Sequence, residues 1–247
     1  MRFSDQLRQA AAQLWEEQHR HPFIRGIGDG TLDPEQFRDY VRQDYLFLID
    51  YGRLLALACA RAPRLELMER FAELTHSTLR TEMDLHRAYA ADWGISHQEL
   101  ERERPHPATR AYTDFLLRTA ALGDFAELVA ALLPCMWCYN ELGQRLAQRP
   151  PPAEELYARW IAMYSSDEFA QLARWCRELC DDAAAAAGEE TKARMREAFI
   201  ASSRHELDFW ESAWGDPGPN AALESWINAH YSEVARHGAY RVLLADL

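Results

Sequence analysis

The sequence predicts an all-α protein built as a single-domain helical bundle. Apolar residues recur at three- and four-residue spacing along most of the chain, and sustained alternation of apolar and polar residues is nearly absent. This pattern favours helices over strands. The 247 residues permit one large domain or two small ones. No internal repeat divides them, and Pro150–Pro152 is too short a connector to mark a boundary. We therefore expect one domain over residues 1–247.

The first predicted helix runs from about Ser4 to His19. The next segment, Pro22–Leu32, contains three glycines and an aspartate, residues that suit turn conformations. We therefore expect a loop there.

A second helix is predicted to begin at Asp33. This residue is a good N-cap, Pro34 occupies the first helical position, and Gln36 follows three residues after the cap. The helix should continue to about Arg61 and end before Pro63.

Later helices are bounded by similar signals. Between two of them, Gly123 is followed by Asp124, a predicted cap, with Glu127 as its capping-box partner. The expected helices are Leu65–Trp93, His106–Ala121, Phe125–Ala147, Glu154–Met163, Asp167–Ala187, Glu190–Trp214 and Ala221–Gly238.

Composition narrows the classes of function. The formal net charge of −12 opposes approach to a phosphate backbone, and no Lys/Arg cluster offsets it, so no nucleic-acid partner is expected. No segment reaches the roughly 18 consecutive apolar residues of a membrane helix. The N-terminal segment lacks an apolar signal core. The five cysteines should therefore be reduced thiols in the cytoplasm.

Asp44 lies in an aromatic stripe of the second helix. At helical spacing it shares a face with Tyr40, Phe47 and Tyr51. Such a stripe is often ordinary core packing, with the carboxylate bonded to a structural partner. Alternatively, the aromatic rings form a pocket wall that sandwiches a flat ring, while Asp44 accepts hydrogen bonds from an amino group and a protonated ring nitrogen.

Cys135 directly follows Pro134 inside a helical pattern. The proline should kink the helix. Backbone N–H groups left without partners where the helix restarts after the kink would then favour a thiolate at Cys135. Two alternatives stay open: Cys135 is a small core residue, or four thiols bind zinc. The four thiols are those of Cys135, Cys138, Cys176 and Cys180. The helical context, which lacks a glycine-rich knuckle, disfavours zinc.

Glu206 lies on a late helix beside Phe209 and Trp210. Desolvation by these aromatic residues would favour its protonated form, which suits a proton donor near neutral pH. A solvated glutamate beside core aromatics is the alternative. Tyr112 and Tyr164 add hydroxyl groups on other helices, but their spacing in the sequence does not show whether they lie near the other candidate site residues.

Taken in order, several segments resemble the TenA, or thiaminase II, family over nearly the whole chain. The matching text is His21-Pro22-Phe23, Gly26–Leu32, Phe37 with Tyr40, Gln43-Asp44 with Leu48, Pro134-Cys135, Tyr139, Tyr164-Ser165-Ser166 with Phe169, and Glu206 with Phe209-Trp210. The resemblance implies an all-α, haem-oxygenase-like fold, a homotetramer, and no cofactor. It also implies hydrolysis of an aminomethyl aminopyrimidine, and more slowly of thiamin, to the hydroxymethyl pyrimidine.

The resemblance also assigns roles to residues. Cys135 would be the nucleophile that adds to the pyrimidine ring, and Glu206 would transfer protons. The substrate-binding residues would be Asp44, Phe47, Tyr112, Tyr139 and Tyr164. Two positions depart from the family pattern, because Phe47 and His205 stand where tyrosine is common. Loss of a hydroxyl group near Glu206 would change its pKa or slow turnover.

Two other functions compete with this one. A metal-dependent oxygenase of the same fold class would need inward-facing His and Glu/Asp ligands. Glu82 and His86 are one helical turn apart, and His19 and His21 lie near the N-terminus, but no full ligand set follows from spacing. A non-catalytic regulator that binds DNA is disfavoured by the acidic charge.

Overall fold

The computed structural model describes residues 1–92 and 94–215, and all regular structure in these residues is helical. The all-α prediction is therefore confirmed. The expected helix Ala221–Gly238 lies outside the described residues. The α-helices are α1 Phe3–Ala10, α2 Ala12–Arg20, α3 Pro22–Asp29, α4 Pro34–Arg61, α5 Leu65–Ser77, α6 Met83–Asp92, α7 His97–Arg102, α8 Pro107–Leu122, α9 Phe125–Leu146, α10 Glu155–Tyr164, α11 Asp167–Ala185 and α12 Glu189–Trp214.

Helix α9 forms the centre of the bundle. Every residue from Leu128 to Pro134 is buried, as expected for a helix that is apolar on all sides. Helices α11 and α12 both pack along α9, and α4 packs against α5 and α8. None of the described helices has the length and apolar content to cross a membrane.

Local signals placed several helix starts correctly. The side chain of Asp33 accepts a hydrogen bond from the Glu35 amide at 2.9 Å, and Asp124 and Glu127 form the predicted capping box of α9. Gln36 does not take part in the first cap, because its side chain donates to the Trp214 carbonyl oxygen at 2.6 Å.

The loop expected at Pro22–Leu32 is wrong. Residues Pro22–Asp29 form α3, capped by the His21 side chain, and the helix ends at Gly30, where φ is +71°. Gly26 lies inside this helix, where a Cβ would come to 3.0 Å from Leu32. Its small size permits close packing. The single helix expected at Ser4–His19 is also wrong: the structure has two helices there, separated by a turn at Ala11.

The long helix expected at Leu65–Trp93 contains a π-helical turn at Thr78–Glu82, between α5 and α6. Trp93 lies outside the described residues. A π-turn inserts one residue into the helix and rotates the turns that come after it, and such turns are frequent at functional sites. Helix α7 was not predicted, although Ser96 and Glu99 form a capping box at its start.

Candidate active site

A cavity of about 410 Å³ opens between α4, α5, the π-helical turn, α6, α9, α10 and α11. This volume lies within the range of small-molecule binding sites. Five of the residues predicted from sequence line the cavity: Asp44, Phe47, Cys135, Tyr139 and Tyr164. Residues separated by more than a hundred positions therefore meet in one site.

Glu206 and Tyr112 lie behind the residues that line the cavity. The Tyr112 ring packs against Phe47, with 5.0 Å between ring centroids, and the Tyr112 hydroxyl donates to Glu206 Oε1 at 2.6 Å. Glu206 is only 1% exposed. Burial raises its pKa to about 8, the charge of Asp44 acts in the same direction, and the Tyr112 hydrogen bond opposes them. Glu206 is thus mostly protonated at neutral pH, which agrees with the sequence argument.

Cys135 is half-buried in the cavity wall on α9. The expected thiolate is wrong for the free site. Burial raises the pKa of the Cys135 thiol well above its ordinary range, and the charges of Glu206 and Asp44 raise it further. Helix α9 also continues without interruption through Pro134.

Asp44 has a partner that sequence reasoning did not assign to the site. Its Oδ2 atom lies 2.6 Å from Nε2 of His86, and Nδ1 of His86 lies 2.9 Å from the carbonyl oxygen of Glu82. Burial lowers the pKa of His86, but the hydrogen bond and charge of Asp44 outweigh it, so the pKa is raised overall. In the sequence, the spacing of Glu82 and His86 indicated only a candidate pair of metal ligands.

Aromatic side chains form much of the remaining wall. The Tyr139 and Tyr164 rings lie 4.8 Å apart, and Phe47 stacks on Tyr51 at 5.6 Å. Tyr40 does not line the cavity, since it stacks on Trp210 in the core at 5.5 Å. The Asp44 stripe is therefore part core and part pocket wall.

His205, one of the two departures from the family pattern, contacts the Glu206 network through Tyr112. Its imidazole stacks on the Tyr112 ring, with 5.4 Å between centroids and 14° between planes. His205 also packs against Phe115 at 5.1 Å. Its position supports the phenol that holds Glu206.

The four thiols considered as zinc ligands do not converge within the described chain. Among residues 1–92 and 94–215, no three His, Cys, Asp or Glu side chains are grouped as metal ligands. The Cys138 thiol donates instead to Gln18 Oε1 at 3.0 Å, and Cys176 and Cys180 are buried on α11.

Comparison with known proteins relates this geometry to a family. A model of the TENA/THI-4/PQQC family matches residues 8–216. The aminopyrimidine aminohydrolase of Halalkalibacterium halodurans is 42% identical, over 87% of this chain and 97% of the relative. The aminopyrimidine aminohydrolase of Bacillus subtilis is 37% identical, over 98% of this chain and 99% of the relative.

Solved structures agree in fold. The TenA homologue from P. horikoshii OT3 superimposes with a TM-score of 0.81 at 31% identity, covering 87% of this chain and all of that one. A haem oxygenase-like domain from Shewanella denitrificans has a TM-score of 0.66 at 14% identity and covers 96% of both chains. The second similarity supports the fold alone.

Proposed function

The chain belongs to the TENA/THI-4/PQQC family, and we propose that it is an aminopyrimidine aminohydrolase of thiamin salvage. It hydrolyses an aminomethyl aminopyrimidine to the hydroxymethyl pyrimidine and ammonia, and thiamin more slowly. The observation that carries the proposal is the cavity that groups a thiol, a carboxylate and aromatic rings, in a chain 42% identical to a relative of that name. A metal-dependent oxygenase is not favoured.

Substrate binding is assigned to Asp44 and the aromatic wall. Hydrogen bonds to Asp44 would satisfy the ring nitrogen and exocyclic amino group of the pyrimidine, since a buried carboxylate needs polar partners. Phe47, Tyr139 and Tyr164 would contact the flat ring through their faces and edges. Tyr112 would act from behind Phe47, through its hydrogen bond to Glu206.

Catalysis begins with Cys135 and Glu206 both carrying protons. The sulfur of Cys135 bonds to an electrophilic ring carbon while the thiol proton passes to a ring nitrogen. The ring electron pair then breaks the bond between the methylene arm and the amine, and protonated Glu206 gives its proton to the departing nitrogen.

Water completes the turnover. It adds to the exposed methylene carbon and returns a proton to the Glu206 carboxylate. The ring nitrogen loses its extra proton as the carbon–sulfur bond breaks, which restores the Cys135 thiol. The net change exchanges the amino group for a hydroxyl group.

We also propose a cytoplasmic homotetramer that needs no cofactor and binds no nucleic acid. The resemblance supports the tetramer, and exposed apolar side chains such as Leu65 (64%) and Leu122 (75%) are compatible with association. Light scattering after gel filtration measures the mass: a tetramer of the 28.5 kDa chain is expected, and a monomer would contradict it.

The activity is tested with chelator-treated protein. Ammonia and hydroxymethyl pyrimidine should appear from the aminomethyl aminopyrimidine. Cys135→Ser and Glu206→Gln should abolish turnover, and Asp44→Ala should mainly weaken pyrimidine binding. Cys59→Ser is the matched control, because Cys59 is also half-buried but its thiol contacts the Met68 carbonyl away from the cavity. Turnover that needs added iron and oxygen would overturn the proposal.

A further inference from the structure

His86 holds the Asp44 carboxylate at one oxygen only. The contact between His86 Nε2 and Asp44 Oδ2 is 2.6 Å, and the two residues are 4% and 5% exposed. The described part of the chain offers Asp44 Oδ1 no hydrogen-bond partner, and Asp44 lines the cavity. One carboxylate oxygen is thus fixed by protein, while the other is left for a ligand.

The second contact of His86 determines which ring nitrogen carries a proton. Nδ1 lies 2.9 Å from the carbonyl oxygen of Glu82, and a carbonyl oxygen can only accept. Nδ1 therefore carries a hydrogen. If Nε2 had none, two acceptors would face each other at 2.6 Å when Asp44 is ionised. A proton must lie between Nε2 and Oδ2, and a short contact is typical of a charge-assisted hydrogen bond.

We propose that His86 is the positioning residue of the pyrimidine site, held as an imidazolium that neutralises Asp44 and aims its Oδ1 atom at the substrate. The proposal rests on the function proposed above. His86 lines the cavity beside Asp44, but Asp44 engages its Nε2 atom and the Glu82 carbonyl oxygen engages its Nδ1 atom, so neither ring nitrogen is free to bond the substrate. His86 acts through Asp44, which then accepts hydrogen bonds from the pyrimidine without leaving an unpaired charge in the wall.

The surroundings of His86 favour the charged ring. Asp44 faces it from α4, and Glu82, at the end of the π-helical turn, adds a second carboxyl group whose charge also favours the imidazolium. Tyr89 packs edge-on, with 6.4 Å between ring centroids. On the same helix, Arg87 forms an ion pair with Asp84 at 2.7 Å. The π-helical turn immediately precedes α6 and so sets the rotation that presents His86 to Asp44.

The protonation state can be read without any activity. In ring-nitrogen NMR of ¹⁵N-labelled protein, the His86 signal is assigned by its loss in His86→Gln. Both ring nitrogens should still be protonated at neutral pH, above the ordinary pKa of a histidine, because the Asp44 carboxylate raises the pKa of His86. Asp44→Asn should return His86 to a neutral ring protonated at Nδ1. An Nε2 without a proton in the native protein at neutral pH would overturn the proposal.

Binding of the hydroxymethyl pyrimidine product tests the positioning. His86→Phe, which keeps a ring but no donor, should weaken binding by about tenfold, the scale of a lost hydrogen bond to a charged group. His86→Gln places an amide donor near the position of Nε2 and should restore part of the affinity, because the amide replaces the hydrogen bond to Asp44 but not the positive charge. His97→Gln is the control, because His97 is half-exposed on α7 and pairs with Glu101, away from the cavity.

The outcomes separate this inference from the proposed function. If the native protein neither binds the pyrimidine nor turns it over, the function fails while the NMR result for His86 still stands. If it does both and His86→Phe binds as tightly as the native protein, the positioning role is wrong. Equal losses in His86→Phe and His86→Gln, with both variants folded, would also refute the positioning role.

Discussion

Glu206→Gln should stabilise the folded protein at alkaline pH while it abolishes turnover. The folded-state pKa is about 8 against an ordinary value of 4.5, so the folded protein retains a proton that the unfolded chain releases. The stabilisation from this proton is fully present below pH 4.5 and is lost as pH rises to about 8. A difference of about 3.5 in pKa corresponds to about 5 kcal/mol. Glutamine has no such proton to lose.

The assay is guanidinium unfolding of both proteins at about pH 5 and about pH 9, with the free energy of unfolding extrapolated to water. The advantage of Glu206→Gln should grow by several kcal/mol between the two conditions. Glu197→Gln is the matched control, because Glu197 lies on the same helix and is exposed; its effect should stay below about 0.5 kcal/mol at both pH values. If the difference in the free energy of unfolding between Glu206→Gln and the native protein does not change with pH, the conclusion that Glu206 is buried and protonated is refuted.

Two further predictions concern the acid group and the packing. Tyr112→Phe removes the hydrogen bond that lowers the pKa of Glu206, so the Glu206-dependent limb of the pH–rate profile should move up by about one pH unit. Tyr139→Phe removes a hydroxyl that makes no such bond and should leave that limb in place; equal movement in both would contradict the assignment. Gly143→Ala should lower the free energy of unfolding by about 1–3 kcal/mol, since its Cβ would lie 2.6 Å from backbone at the end of α10. Gly52→Ala meets only a leucine side-chain tip and should cost less in the same denaturation assay.

Helix starts were predictable where the signal is local. The caps at Asp33 and Asp124 depend only on residues within one helical turn. Such residues are close together in the sequence, so the pattern can be recognised there. Helix α3 was not predictable in this way. Its glycines resemble turn residues, but Gly26 packs against Leu32 and Gly28 against Leu146, and the second contact joins residues far apart in the chain.

The aromatic and carboxylate members of the site were predictable as residue types, but their convergence was not. His86 shows why. In a continuous α-helix from Leu65, the His86 side chain would point in a different direction, because the π-helical turn rotates the residues that follow it. No local feature of Thr78–Glu82 predicts that turn. The contact with Asp44 also joins two residues 42 positions apart.

The protonation state of Cys135 depends on which of two opposing effects is larger. Partial positive charge at a helix start lowers a thiol pKa, but it contributes at most about 2 kcal/mol and falls off within one turn. Removing a charged group from water costs several kcal/mol, and the negative charge of Asp44 adds to this cost at Cys135. Burial therefore prevails, and the free site holds a thiol. The charge that Cys135 needs has to arise as the substrate is attacked, which is why a proton acceptor on the pyrimidine ring is as necessary to the proposed reaction as the sulfur.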